Sequence, residues 1–102
     1  MTDMLRSLER IIHERRVQPQ PGSYTQRLFE AGPNKIAQKV GEEAVEVIVA
    51  ALGQGRSNPI GELSDLFYHT LVLMAQLGIS LDDVDAELAR RHAQRSAEHT
   101  GE

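Results

Sequence analysis

Two acid pairs stand out in the chain, Glu43/Glu46 and Glu62/Asp65, each spaced three residues apart. Residues three and four apart share a face of a helix, so each pair presents its carboxylates side by side. Lys39 precedes the first pair and His69 follows the second, both at helical spacing. Four carboxylates converging on one point cannot all stay ionised without compensation. Hard divalent cations relieve that repulsion, and Mg²⁺ prefers carboxylates, water and substrate phosphates to an all-protein cage. The chemistry such a cluster supports is metal-assisted attack of water on a phosphate bond. Taken alone, two glutamates on one helix face are most often a solvated surface. Two pairs on successive helices, beside a strongly apolar face, shift the reading toward a site.

The rest of the composition narrows the metal. Carboxylate-bridged di-iron bundles use a Glu-x-x-His motif. Here His69 is four residues after Asp65 and seven after Glu62, so the motif is absent. The acids are followed by acids, which favours Mg²⁺, with Mn²⁺ as a possible substitute. The chain has no cysteine, so thiolate ligands, thiolate nucleophiles and disulfides are excluded. A formal charge of −4 argues against nucleic acid as a partner and calls for a cation between the carboxylates and any nucleotide. No run is long and apolar enough to cross a membrane. The N-terminus contains acids and lacks the apolar stretch of a secretory signal, so a cytoplasmic location is expected.

The acids need elements to hold them, and the punctuation is helical throughout. With 102 residues, one domain is expected, here spanning 1–95, followed by a polar, frayed tail at 96–102. A first helix from about Asp3 to Val17 places Leu5, Leu8, Ile11 and Ile12 on one face. The breaker cluster Gln18-Pro19-Gln20-Pro21-Gly22 ends it. A short second helix starts at Ser23, with Gln26 completing a capping box, and stops at Gly32. The third runs from about Pro33 to Leu52, with an apolar face of Ile36, Val40, Ala44, Val47, Ile48 and Ala51. After the loop Gly53–Ser57, Asn58 and Pro59 open a fourth helix that reaches Leu77, with Gly78 as its stop. Its stretch Leu66–Leu77 is apolar almost all round, which marks a central or interface helix. Ser80 with Asp83 caps a fifth helix to about Gln94. The fold class is therefore all-α, a bundle of four or five helices. The short connection between the third and fourth helices predicts antiparallel packing, which sets the two acid pairs at similar heights, facing each other.

A family resemblance covers nearly all of this, from Leu5 to about His92. The stretch Tyr24-Thr25-x-x-Leu28-Phe29-x-x-Gly32-x-x-Lys35-Ile36-x-Gln38-Lys39-Val40-Gly41-Glu42-Glu43-Ala44-x-Glu46 resembles the phosphoribosyl-ATP pyrophosphatases of histidine biosynthesis. The block Glu62-Leu63-x-Asp65-Leu66-x-Tyr68-His69 continues the likeness, and Gly78-Ile79-Ser80-Leu81 with Glu87-Leu88-x-x-Arg91 closes it. The acid pairs alone would suggest only the wider all-α, MazG-like nucleotide pyrophosphatase superfamily. The resemblance implies a MazG-like bundle that dimerises through its helices. It implies Mg²⁺-dependent hydrolysis of 1-(5-phosphoribosyl)-ATP to the AMP derivative and pyrophosphate, the second step of the pathway. It also implies that the cyclohydrolase of the next step sits on another chain, since there is no room here for that domain.

Glu43, Glu46, Glu62 and Asp65 are the expected metal ligands. Glu42 points about 100° away from Glu43 and is a further ligand, a base, or a surface residue. Lys39 either meets phosphate as a point charge or pairs with Glu43 at i, i+4. Lys35, in the first turn of its helix, is a weaker phosphate candidate. Tyr68 and His69 contact the base or the ribose phosphate, or serve the bundle structurally. Arg91, with Arg90, reaches phosphate from a partner subunit or lies on the surface near a helix end. Tyr24 and Thr25 belong to the motif without a derivable role. The expected mechanism is direct attack by a metal-held water between the α and β phosphorus atoms. Two other functions remain open: a house-cleaning nucleoside triphosphate pyrophosphatase, and a non-catalytic helical dimerisation module.

Overall fold

The computed structural model describes residues 3–53 and 55–100, with side chains for 4–53 and 55–96. Five helices follow one another: α1 (Asp3–Val17), α2 (Tyr24–Ala31), α3 (Pro33–Ala51), α4 (Pro59–Leu77) and α5 (Leu81–Thr100). No strand occurs among the described residues. The all-helical class expected from the punctuation is the observed one.

Local chemistry sets the boundaries. At the start of α2 the Ser23 hydroxyl accepts the Gln26 backbone N–H at 3.3 Å. The reciprocal half of the expected box does not form. Gln26 turns its amide to Glu30, 2.9 Å away, an ionised acceptor one turn ahead. Gly32 separates α2 from α3 at φ 95° and ψ 172°, a region open essentially to glycine alone. Pro33 follows at the first position of α3, so the two helices turn with almost no loop. Asn58 opens α4 by accepting the Ile60 N–H at 2.7 Å. The box at α5 closes in both directions: Asp83 N–H to Ser80 Oγ at 3.1 Å, and Ser80 N–H to Asp83 Oδ2 at 2.9 Å. The last helix continues to Thr100 rather than ending near Gln94. Glu87 pairs with Arg90 and Arg91, and Arg90 reaches Gln94, so spacings of three and four carry the helix onward. Gly101 and Glu102, the end of the expected tail, lie outside the described residues.

The α3/α4 hairpin is the most extensive pairing, with α1 laid across α4 and α2 set against α1, α3 and α4. Ile12, Leu28, Ile36, Leu71, Val72 and Ala75 form the buried core. The hairpin's share comes from the start of α3 and the second half of α4, with Ile12 of α1 and Leu28 of α2 packed on it, so the core sits at one end of the hairpin. Arg16 ties this end together, donating to the Ala75 carbonyl and lying 5.6 Å from the Phe29 ring centre. The other end has only two helices. There Ile48, expected on the apolar face of α3, is 57% exposed, and Ile60 is 74% exposed. Two packed helices leave their outer faces in water until a third layer covers them. Helix α5 is fixed at its start, where Arg6 pairs with Asp82 at 2.7 Å and Glu9 accepts the Leu81 N–H at 2.7 Å. Beyond that, Val84 and Leu88 line a shallow cavity with Leu5 of α1, and α5 makes no extensive pairing with another helix among the described residues. The radius of gyration is accordingly 16.4 Å, where a compact chain of 100 residues has about 13 Å.

Candidate active site

Helices α3 and α4 bring three of the expected carboxylates together. One oxygen each from Glu43, Glu62 and Asp65 lies within 4.8 Å of the other two. The antiparallel hairpin produces this directly, because a residue on α3 meets two residues one turn apart on α4. Glu43 is the most enclosed, with 14% of its side chain exposed; Glu62 is half-buried and Asp65 exposed. Glu46 is not in the group. Its side chain is exposed, one turn further along α3, where water rather than a crowd of like charges surrounds it.

Lys39 sits one turn before Glu43 and lies 3.6 Å from both Glu42 and Glu43. Burial pulls its ammonium down, but Tyr24, Glu42 and Glu43 outweigh that, and its pKa lies above the ordinary lysine value. Both readings of Lys39 are thus compatible, since a lysine shared between two carboxylates still has a donor to turn outward. Glu42 is exposed. The Gln38 amide, donating at 2.9 Å, lowers its pKa, burial opposes, and Lys39 lowers it further. Lys35 is exposed in the first turn of α3, near enough for its charge to help hold Glu42 ionised.

Behind Asp65 lies a polar network that joins α2 to α4. The Asp65 main-chain carbonyl can only accept, so the proton at 2.7 Å belongs to His69 Nδ1. In the neutral ring Nε2 then accepts, and the Tyr24 hydroxyl donates to it at 2.9 Å. The Thr25 and Tyr68 hydroxyls are hydrogen-bonded to each other. The Tyr24 and Tyr68 rings stack with centroids 6.2 Å apart, and His69 stands edge-on to both. Burial raises the Tyr68 pKa, opposed by the Thr25 hydrogen bond; Tyr24 raises it further, while the charge of Arg15 lowers it. His69 and Thr25 are buried polar residues with their partners in place.

Tyr24 and Thr25, which had no derivable role in the sequence, therefore position the histidine and tyrosine that did. The available signal was two hydroxyl residues opening a short amphipathic helix, with Thr25 three residues before the core residue Leu28. Arg91 and Arg90 are not brought to the acids. Both pair with Glu87 on α5, whose carboxyl is held at about 2 by the Arg90 and Arg91 hydrogen bonds, against a small opposing effect of burial.

The acid trio fits a hard cation. Mg²⁺–oxygen bonds of about 2.0–2.1 Å place ligand oxygens at most about 4.2 Å apart. A spread of 4.8 Å closes to that with small side-chain rotations. The donors are all oxygen, and three of them leave positions for water and phosphate.

Comparison with known proteins follows this geometry. The family pattern described as phosphoribosyl-ATP pyrophosphohydrolase matches residues 5–92. The chain is similar to a phosphoribosyl-ATP pyrophosphatase of Pyrobaculum islandicum, 53% identical over 89 residues that span 87% of this chain and 95% of the relative. A second relative of that name, from Pelotomaculum thermopropionicum, is 48% identical over 94 residues, covering 92% of this chain and 96% of its own. The histidine biosynthesis bifunctional protein HisIE of Oceanobacillus iheyensis is 47% identical over 87 residues, which cover 85% of this chain and 40% of that protein.

Proposed function

We propose, because the chain belongs to the phosphoribosyl-ATP pyrophosphohydrolase family, that the Glu43/Glu62/Asp65 trio is where it cleaves 1-(5-phosphoribosyl)-ATP to the AMP derivative and pyrophosphate. The enzyme is a hydrolase of histidine biosynthesis, a phosphoribosyl-ATP pyrophosphatase. The finer assignments carry the proposal: Mg²⁺ as cofactor, the ligand set, a homodimer, a cytoplasmic setting, and a separate cyclohydrolase for the following step. The single observation that carries the site is the convergence of three carboxylate oxygens within 4.8 Å at the junction of α3 and α4.

A divalent cation bound there supplies charge that shields the phosphates and activates water for attack. The protein's own residues do the rest. Glu43, Glu62 and Asp65 would hold the cation, and Glu46, exposed one turn away, would be free to turn toward it. Lys39 meets a phosphate oxygen while Glu42 and Glu43 keep its charge in place. His69, fixed through Nδ1 to the Asp65 carbonyl, and Tyr24, fixed to Nε2, hold the end of α2 against α4. No group on the protein becomes covalently bound to phosphate.

The homodimer reading is supported by the apolar face beside the trio. Leu63 and Phe67 neighbour the acids on α4 and are exposed, as are Ile60 at the start of the same helix and Ile48 across the hairpin on α3. A patch of this kind on a small chain marks an interaction surface. A second copy laid on it would also give the open acid trio a wall. Pyrophosphate release with Mg²⁺ tests the function, with phosphoribosyl-ATP compared against ATP, dUTP and dCTP. A clear preference for phosphoribosyl-ATP is expected; equal or greater turnover of the other nucleotides would move the enzyme to house-cleaning hydrolysis.

A further inference from the structure

We infer that Tyr24 is a positioning residue for the cation site: through His69 it fixes the turn of α4 that carries Asp65 relative to Glu43 on α3. The inference rests on the cation reading above. It gives α2, which supplies no carboxylate to the trio, a part in the reaction.

The trio is shared between two helices, so its shape depends on how they are held against each other. The buried apolar core takes α4 from Leu71 onward, beyond the turns that carry Glu62 and Asp65. In the turn between the acids and that core, His69 is the buried side chain, 6% exposed. It clamps Asp65 at two points. In an α-helix its main-chain N–H donates to the carbonyl four residues back, which is that of Asp65. Its ring Nδ1 donates to the same oxygen at 2.7 Å. The ring can hold that carbonyl only while the ring itself is held, and Nε2 is where it is held. There the Tyr24 hydroxyl donates at 2.9 Å. Without that donor a buried acceptor is left unpaired and the imidazole is free to turn.

Tyr24 is fixed in turn. Its ring stacks with that of Tyr68 at 6.2 Å, and the Arg27 guanidinium carbon lies 5.5 Å from its centre. Arg27 is anchored by donating to the Gly22 carbonyl at 2.9 Å. At the other end of α2, Gly32 alone separates it from α3. Helix α2 is therefore tied to the helix of Glu43 by the chain, and to the helix of Asp65 by one directed series, Tyr24 O–H to His69 to the Asp65 carbonyl. The three helices close a triangle. The second bond across this junction, Thr25 to Tyr68, joins two side chains and stops there. Partners that orient a cation's ligands from behind typically change its affinity about 10- to 100-fold when removed.

Tyr24→Phe tests this in the full chain, because it deletes one oxygen and keeps the ring. Mn²⁺ binding, read by electron paramagnetic resonance without substrate, is expected to weaken about 10- to 100-fold. With phosphoribosyl-ATP, the Mg²⁺ concentration for half-maximal rate should rise likewise, while kcat at saturating Mg²⁺ falls far less. Thr25→Val, which loses the other bond of the same junction, should weaken Mn²⁺ binding far less. His69→Gln keeps a donor and an acceptor and should recover part of the affinity lost in His69→Leu. In the metal-free wild type, ¹⁵N resonances of His69 should place its proton on Nδ1, and hydrogen exchange of the His69 amide should quicken in Tyr24→Phe. Equal Mn²⁺ affinity in wild type and Tyr24→Phe, or equal weakening in Tyr24→Phe and Thr25→Val, would overturn the inference. A wild type that binds no Mn²⁺ would sink the cation reading instead, and the His69 amide exchange would still decide whether Tyr24 holds the Asp65 turn.

Discussion

Asp65 serves the site twice, through its side chain in the acid trio and through its main-chain carbonyl, which accepts from His69. Replacing Asp65 or Glu43 by the amide keeps the shape and removes the charge that would hold the proposed cation. Pyrophosphate release should fall on the order of 100-fold or more in kcat, as several kcal/mol of charge stabilisation is lost. Glu46→Gln should act differently, raising the Mg²⁺ concentration needed for half-maximal rate more than it lowers the maximal rate. Thr25→Val leaves the Tyr68 hydroxyl half-buried without its partner and should cost about 1–3 kcal/mol in urea unfolding. The trio was legible in the sequence because helical spacing fixes which residues share a face, and a short loop fixes which faces meet. The outward turn of Glu46 was not, because a rotamer answers to its neighbours' charges and not to its spacing. The Tyr24–His69 bond was illegible for another reason: its partners lie on helices whose crossing no local pattern specifies.

At the scale of the helices, most ends follow from side chains that satisfy the first free N–H groups. Ser80→Ala should therefore destabilise the start of α5 by about 1 kcal/mol, read as lost helicity or a lowered Tm. Further along α5, the hydrogen bonds from Arg90 and Arg91 lower the Glu87 carboxyl to about 2, from an ordinary glutamate value of 4.5. A depressed carboxylate contributes stability above its unfolded value, and that contribution fades as pH falls through the folded one. An NMR titration should place the Glu87 midpoint well below the ordinary glutamate value, and Arg90→Gln should move it upward. The starts of α2, α4 and α5 were readable from Ser23, Asn58 and Ser80. The end of α5 was not, because Glu87, Arg90, Arg91 and Gln94 extend a helix without any stop signal before Gly101. Periodicity also misplaced Ile48: it is apolar and in the helical pattern of α3, yet the two-helix end of the hairpin leaves it 57% exposed.

As a whole molecule, the chain has its core at one end of the α3/α4 hairpin, while Ile48, Leu52 and Ile60 stand uncovered at the other. Phe67→Asp or Ile60→Asp should convert a dimer into a monomer by analytical ultracentrifugation, with little change in helicity. Wild type and both variants behaving as monomers would remove the dimer reading while leaving the acid trio untouched. The separation has a consequence for how activity is lost. Ile12, Ile36 and Val72, the largest fully buried side chains, all lie in the core away from the hairpin tip. Heat must break that core, so it should remove structure and turnover together. In the proposed dimer, dilution would act on the covered tip, so turnover per chain should fall with concentration while the circular dichroism spectrum stays unchanged.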